Sequence, residues 1–168
     1  MINIYEYLLG KNNKKLDVDV QEIKDFFNSI LGKTSSDVLN ETIDNFDKKH
    51  HDFFIELIEF TKECVENGFE YSKWAGFGKR HYTETTKTIE LSVFRNDVLS
   101  LMFIDMAENK CVNCTFKRSN VQVSVAVPDG DLYGYFDDDE LESLDSKTVF
   151  DSRKDNKDDF YNILKDNI

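Results

Sequence analysis

The chain contains 168 residues, and its 33 acidic and 21 basic residues give a formal net charge of −12 at neutral pH. This charge disfavours phosphate backbones and anionic lipid headgroups as partners, because an acidic surface repels both, and it favours a basic partner instead. Hydrophobic residues make up 40% of the chain and include 14 Phe and 7 Tyr, so a packed core is expected and intrinsic disorder is excluded. We therefore predict a single domain over residues 1–168.

Cysteine usage and the first residues of the chain predict a reducing compartment. The three cysteines, Cys64, Cys111 and Cys114, are an odd number and do not suit a disulfide framework. The first ten residues place Glu6 in an apolar stretch and lack a basic lead and a small-residue cleavage site, so they do not read as a secretion signal. Because the sequence also contains no membrane-spanning run, we expect a soluble, cytoplasmic protein.

Residues 1–68 are predicted to form a helical layer, because apolar residues recur every three to four positions. One helix ends at Gly32, a second covers about 36–46, and a third covers about 51–67 before Gly68, a residue suited to a left-handed cap. The third helix should be the most buried. Its apolar side holds Phe53, Phe54, Leu57, Ile58, Phe60, Thr61, Cys64 and Val65, and its polar side holds Glu56, Glu59, Glu63 and Glu66.

From about Thr83 the apolar period changes to two, which predicts β-strands in residues 69–128. Four strands are expected, over about 89–94, 98–106, 112–116 and 121–127. Their connections are too short for crossover helices, so the strands should form an antiparallel meander that ends after residues 128–130. The prediction is an α+β fold in which the N-terminal helical layer packs on one face of a four-stranded antiparallel β-meander.

Residues 129–168 are predicted to form an acidic segment followed by a C-terminal helix. This part of the chain has 13 acidic and 5 basic residues, a balance of −8, and residues 137–145 alone contain six acids and no base. We expect a short helix in 137–145 and a last helix over about 158–166, docked by its apolar residues.

Two patterns resemble metal sites, but neither fits one fully. Cys111 and Cys114 have CxxC spacing, yet they lie in a predicted strand, where residues three apart point to opposite faces. Residues 129–140 resemble a calcium-binding EF-hand loop, yet Tyr133 stands where the fifth position needs an oxygen ligand, and a strand precedes the loop where a helix should. No metal or other cofactor is therefore predicted.

Catalytic and phosphate-binding patterns are also weak. His50 and His51 lie between two predicted helices, and His81 precedes the first strand, but nothing in the sequence supplies the geometry that pairs a histidine with a nucleophile or a second acid, and a pairing of His81 with Glu84 or Glu90 would be arbitrary. Residues 76–79 read Gly-Phe-Gly-Lys, but they follow no strand and open no helix, so they do not form a P-loop. No catalytic residue is therefore assigned.

The candidate partner-binding site combines aromatic residues with carboxylates. Desolvated aromatic rings hold a partner, while surrounding charges steer a cationic surface toward them. The predicted contact residues are Asp129, Asp131, Tyr133, Tyr135, Phe136, Asp137, Asp138, Asp139 and Glu140, together with Trp74, for which a place in the core and a place in the contact surface both remain open.

In its size, strong acidity and lack of a catalytic motif, the chain is similar to the immunity proteins of bacterial contact-dependent growth inhibition and other polymorphic toxin systems. The resemblance is one of class over the whole chain and involves no shared motif, so no residue role is transferred. It implies a protein that binds and neutralises a cognate basic toxin domain, commonly a nuclease. Two alternatives remain open: a DNA mimic that inhibits a nucleic-acid enzyme, and a small enzyme that uses a carboxylate or His81. The oligomeric state is not predicted.

Overall fold

The computed structural model describes residues 20–31, 36–71, 82–94, 97–137 and 144–168. Within these residues the chain forms helices and strands in an α+β arrangement. In chain order they are α1 Val20–Leu31, α2 Ser36–Glu66, β1 Glu70–Tyr71, β2 Lys87–Phe94, β3 Val98–Asp105, β4 Lys110–Lys117, β5 Val121–Ala126, α3 Leu132–Asp137, β6 Ser146–Asp151 and α4 Phe160–Asn167. None of the described helices is both long and apolar enough to cross a membrane.

The strands form one six-stranded sheet in the order β1-β2-β3-β4-β5-β6. β1 runs parallel to β2, and every other neighbouring pair is antiparallel. The predicted meander is therefore present as β2 to β5. The prediction that the sheet ends after residues 128–130 is wrong, because β6 returns to pair with β5. The first four residues of β6 are not buried, so this strand lacks the apolar alternation by which a half-buried strand is recognised.

The two helices predicted over 36–46 and 51–67 are one long helix, α2, with a kink at His50 (φ −122°, ψ 15°). The bend lies on the β4–β5 turn. There His50 Nε2 donates to the carbonyl of Lys117 at 2.8 Å, and Lys49 Nζ donates to the carbonyl of Arg118 at 2.8 Å. At the other end of α2, Gly68 has φ 99°, which confirms the predicted left-handed cap.

The main core lies between the helices and one face of the sheet. The ring of Phe54 is fully buried and stacks on Phe116 of β4, with centroids 4.2 Å apart and an interplanar angle of 3°. Phe27 of α1 packs on Phe54, with ring centroids 6.0 Å apart, and Phe53 of α2 packs on Phe160 of α4, with centroids 4.9 Å apart. The second half of α2 is therefore densely buried, as its apolar face predicts.

Two residues of α2 lie on the side opposite to the one predicted. Glu56, predicted on the polar side, is only 4% exposed, whereas Val65, predicted on the apolar side, is 37% exposed. The reason is the number of elements around this helix: α2 contacts α1, α4 and the sheet, so its flanks are covered as well as its sheet-facing side. Val65 lies in the last turn of the helix and remains exposed.

A second, smaller core covers part of the opposite face of the sheet. Its buried residues are Tyr82, Ile104, Met106, Cys111, Leu132 and Phe136. Leu132 and Phe136 come from α3, so this helix packs behind the sheet rather than with the helical layer. A helix is therefore present at Leu132–Asp137, earlier than the predicted 137–145, of which residues 138–143 lie outside the described ranges.

Candidate partner-binding site

The loop between β5 and α3 is held by Asn109 of the β3–β4 turn. Asn109 Oδ1 accepts a hydrogen bond from the backbone N–H of Leu132 at 2.6 Å, and Asn109 Nδ2 donates to the carbonyl of Gly130 at 3.3 Å. Asn109 itself has φ 56°, a left-handed conformation that asparagine adopts more readily than most residues. One side chain therefore binds both a donor and an acceptor of the loop and fixes it against the sheet.

The two aspartates of this loop are exposed, and local hydrogen bonds hold the backbone around them. Asp131 Oδ1 accepts from the backbone N–H of Tyr133 at 3.0 Å, which satisfies a donor at the start of α3. The backbone N–H of Asp129 donates to the hydroxyl of Tyr135 at 2.9 Å. Both aspartates are exposed, while Tyr133 and Tyr135 are half-buried beside them. The structure thus brings two predicted acids and two predicted aromatic residues together.

Phe136 does not belong to this surface. It is 3% exposed, and its ring centroid lies 4.7 Å from that of Tyr82 in the second core. The assignment of Phe136 as a contact residue is therefore corrected. Phe136 follows Leu132 by four positions in α3, so both side chains lie on the face of the helix that packs on the sheet.

Several predicted residues fall outside the described part of the chain. These are Trp74, Asp138, Asp139 and Glu140, and the candidate catalytic residue His81. Asp137 is the last residue of α3, and its side chain is not described.

The same end of the sheet holds acidic residues that the sequence did not associate with the site. Glu108 in the β3–β4 turn is exposed, and so is Asp145, whose carbonyl accepts from the N–H of Val127 at 2.8 Å. We call Glu108, Asp129, Asp131 and Asp145 the acidic end. Lys110 and Lys147 are exposed bases close to it in the strands. No local sequence signal links Glu108 with Asp129, because the strand register and the Asn109 contact bring them together.

The opposite end of the sheet carries a contrasting set of charges. The exposed bases there are Lys49, Lys117, Arg118, Arg153 and Lys154, around the β4–β5 turn and the end of β6. Two of them pair with acids: Arg118 with Asp97 and Arg153 with Asp151, each at 2.8 Å. Asp97 and Asp155 are exposed acids at this same end, so the difference between the two ends is an excess of bases here and an excess of acids at the α3 end.

Asp151 organises the turn after β6. Its carboxylate accepts from the guanidinium and the backbone N–H of Arg153, and from the side-chain amides of Asn120 and Gln122. These hydrogen bonds, those of Arg153 first, hold the pKa of Asp151 far below its usual range. The buried carboxylate is thus a structural anion rather than a catalytic base.

We expect Asp151→Asn to weaken the dependence of stability on acid pH. The folded-state pKa of Asp151 lies below its unfolded value of about 4, so the ionised carboxylate stabilises the fold above that pH. The loss of this stabilisation begins as the pH falls below about 4, the unfolded pKa, and is complete once the pH is below the lowered folded-state pKa. Urea unfolding at several pH values should therefore show a lower stability for the variant at pH 7 and a shallower fall in acid.

The matched control for this measurement is Asp155→Asn, which changes another carboxylate of the same turn. The carboxylate of Asp155 accepts one backbone hydrogen bond, from the N–H of Asp151. The control should keep the acid-dependent fall of the parent protein. Equal slopes for Asp151→Asn and the parent would contradict the role assigned to Asp151.

The described histidines have structural surroundings. His50 is 4% exposed and lies among Phe46, Phe53 and Phe116, and burial lowers its pKa, so the neutral ring is favoured. His51 lies one turn from Asp47, with Nδ1 2.7 Å from the carboxylate. Neither arrangement contains a nucleophile.

The metal-like patterns take other structural roles. Cys111 lies in the second core and Cys114 in the main core, so the two thiols face opposite sides of the sheet, as predicted. Burial raises the pKa of Cys111 to about 12, which keeps its thiol protonated. In the EF-hand-like segment, the chain is already helical from Leu132, the fourth position. Across the described ranges, no three His, Cys, Asp or Glu side chains form a group that could hold a metal ion.

No protein-family model, curated protein or solved structure matches the chain.

Proposed function

We propose that the protein is an acidic binding protein that neutralises a cognate basic toxin domain, of the nuclease class, by direct complex formation. The observation that carries this proposal is the hydrogen-bonded loop at the acidic end. Exposed Asp129 and Asp131 lie beside half-buried Tyr133 and Tyr135, and Asn109 fixes the backbone that carries them.

These hydrogen bonds matter because binding a partner to a flexible loop costs ordering entropy. The hydrogen bonds of Asn109, Asp131 and Tyr135 order the loop before any partner arrives. A nuclease cleft is rich in Lys and Arg because it must hold phosphates. The exposed carboxylates can pair with the same cations, while the tyrosine rings supply contact area.

The difference in charge between the two ends of the sheet supports the same proposal. Acids at the α3 end attract a cationic surface, and the bases around Arg118 repel it. The partner is therefore oriented toward the acidic end during the diffusional encounter, which raises the association rate more than the final affinity.

We expect reversal of three acids at this end, in Glu108→Lys, Asp129→Lys and Asp145→Lys combined, to slow association roughly tenfold or more at low salt. These three side chains are exposed, and none caps a helix, so the fold should be retained. Stopped-flow association with the cationic toxin domain encoded at the same locus, over a series of salt concentrations, measures the effect. The salt dependence of the variant should be flatter than that of the parent.

The matched control combines Glu41→Lys, Glu66→Lys and Glu70→Lys, which change the net charge equally at exposed positions on the helical side and at β1. It should slow association much less. A larger effect in the control would move the binding surface to the helical layer. Absence of binding by the parent protein to any cationic protein of the locus would reject the proposed function itself.

A further inference from the structure

A small cavity lies on the helix side of the sheet, on the opposite face from α3. It has a volume of about 190 Å³ and opens between the end of α2, the adjoining ends of β2 and β3, and α4. Phe60 and Phe69, which are 2% and 5% exposed, supply its apolar wall. An apolar cavity of about 150 Å³ is large enough to bind benzene, so this volume suits a ligand with one ring or a short branched chain.

Two ion pairs line the cavity. Lys87 Nζ lies 3.7 Å from Asp105 Oδ2, and Lys165 Nζ lies 3.5 Å from Glu63 Oε1. The two lysine side chains are each 32% exposed, whereas those of Asp105 and Glu63 are 5% and 19% exposed. The lysine side chains are therefore more exposed to solvent than the carboxylates with which they pair.

Both carboxylates also accept hydrogen bonds from other groups. Glu63 Oε2 accepts from the hydroxyl of Tyr161 at 2.6 Å, and Asp105 Oδ1 accepts from the backbone N–H of Glu108 at 3.1 Å. An ammonium group on a ligand would compete with these donors. A ligand carboxylate would instead meet the more exposed lysines.

Lys87 is positioned to receive such an acceptor. Its ammonium group donates to the carbonyl of Asn67 at 3.1 Å and lies 5.0 Å from the centre of the Phe69 ring. Its distance to Asp105 is longer than a normal hydrogen bond. Because an ammonium group has three N–H donors, it can bond a ligand oxygen without releasing Asn67.

The cavity has the character of a binding site rather than of a covalent catalytic site. Cys64 lies in its wall, but burial, together with the charge of Glu63, raises the pKa of its thiol to about 12. The thiol is therefore protonated at neutral pH and is a poor nucleophile.

We propose that this cavity binds a small organic carboxylate with an apolar body, its carboxylate directed at Lys87 and Lys165 and its body against Phe60 and Phe69. This activity goes beyond the proposed neutralisation of a toxin and does not rest on it.

Titration with benzoate, followed by two-dimensional NMR of the labelled protein, tests the proposal without the partner. We expect saturable shifts around Phe69, Lys87 and Lys165. Benzamide has the same shape without the charge, and we expect its affinity to be at least about tenfold lower than that of benzoate. The reason is that a hydrogen bond to a charged group contributes more than a neutral one. Lys87→Met should weaken benzoate binding by a similar factor.

Lys165→Met, on α4, provides a second variant in case Lys87→Met fails to fold, because the latter removes the ion-pair partner of buried Asp105. Lys147→Met, an exposed lysine on β6, is the matched control and should leave benzoate binding unchanged. Equal binding of benzoate and benzamide, or retention of full affinity in both cavity variants, would overturn the proposal. The proposal would also be overturned if the shifts did not saturate and were as large around Lys147 as around the cavity. That result would show a general attraction of benzoate to lysines.

Discussion

Replacing Phe54 with alanine is expected to lower the free energy of unfolding by about 3–5 kcal/mol. The ring of Phe54 is 0% exposed, stacks on Phe116 and contacts the ring of Phe27 at 6.0 Å. Its removal leaves a cavity between α1, α2 and β4 that neighbouring rings cannot fill without leaving their own contacts. Urea unfolding followed by circular dichroism measures the change.

Val65→Ala on the same helix is the control for this measurement, because Val65 is 37% exposed. Its effect should lie within about 0.5 kcal/mol of zero. A Phe54→Ala variant within about 1 kcal/mol of the parent would mean that the stacked pair does not lie at the centre of the core.

Replacing Phe136 with alanine is expected to cost about 3 kcal/mol of stability, the lower end for a buried phenylalanine. The second core is small, so its neighbours can partly close the space that the ring leaves. The side chain of Phe136 is 3% exposed, and its ring packs against the ring of Tyr82. Together with Leu132, Phe136 attaches α3 to the sheet. Thermal and urea unfolding in the absence of any partner measure this cost.

The control is Tyr135→Phe, which removes only the hydroxyl that accepts from the N–H of Asp129. Its effect on stability should be about 1 kcal/mol. If Phe136→Ala leaves stability unchanged and weakens only the complex with the toxin domain, the ring is a contact residue, as the sequence predicted, and its buried position is wrong.

Much of the fold was predictable because periodicity records burial. β2, β4 and β5 alternate between apolar and more polar residues, so their period of two is visible in the sequence, whereas β3 is buried on both faces and is visible as a nearly continuous apolar run. β6 was missed because Ser146, Lys147 and Thr148 are exposed, and its apolar residues Val149 and Phe150 are adjacent. β1 is only two residues long, too short to show any period.

The candidate site was predictable only in part, since its geometry depends on contacts between distant residues. Asp129 and Tyr135 are six residues apart, so their proximity follows from local spacing. Asn109 lies 21 residues before Gly130 and 23 residues before Leu132, the two residues that it bonds, and only the register of β3 and β4 places it there. The burial of Phe136 had a local signal, its helical spacing from Leu132, but α3 was expected later in the chain.

β6 is the last strand of the described sheet, and an outermost strand offers its backbone to any other extended chain. Such strands are where proteins pair edge to edge and aggregate. Here Lys147 is exposed on the strand, and an irregularity in register between Val123 and Ser124 interrupts the ladder beside it. A further strand that docked on β6 would meet a charge that must be desolvated and an edge that is not regular. The return of the chain after α3 therefore adds an edge strand that disfavours the pairing of further strands with the sheet.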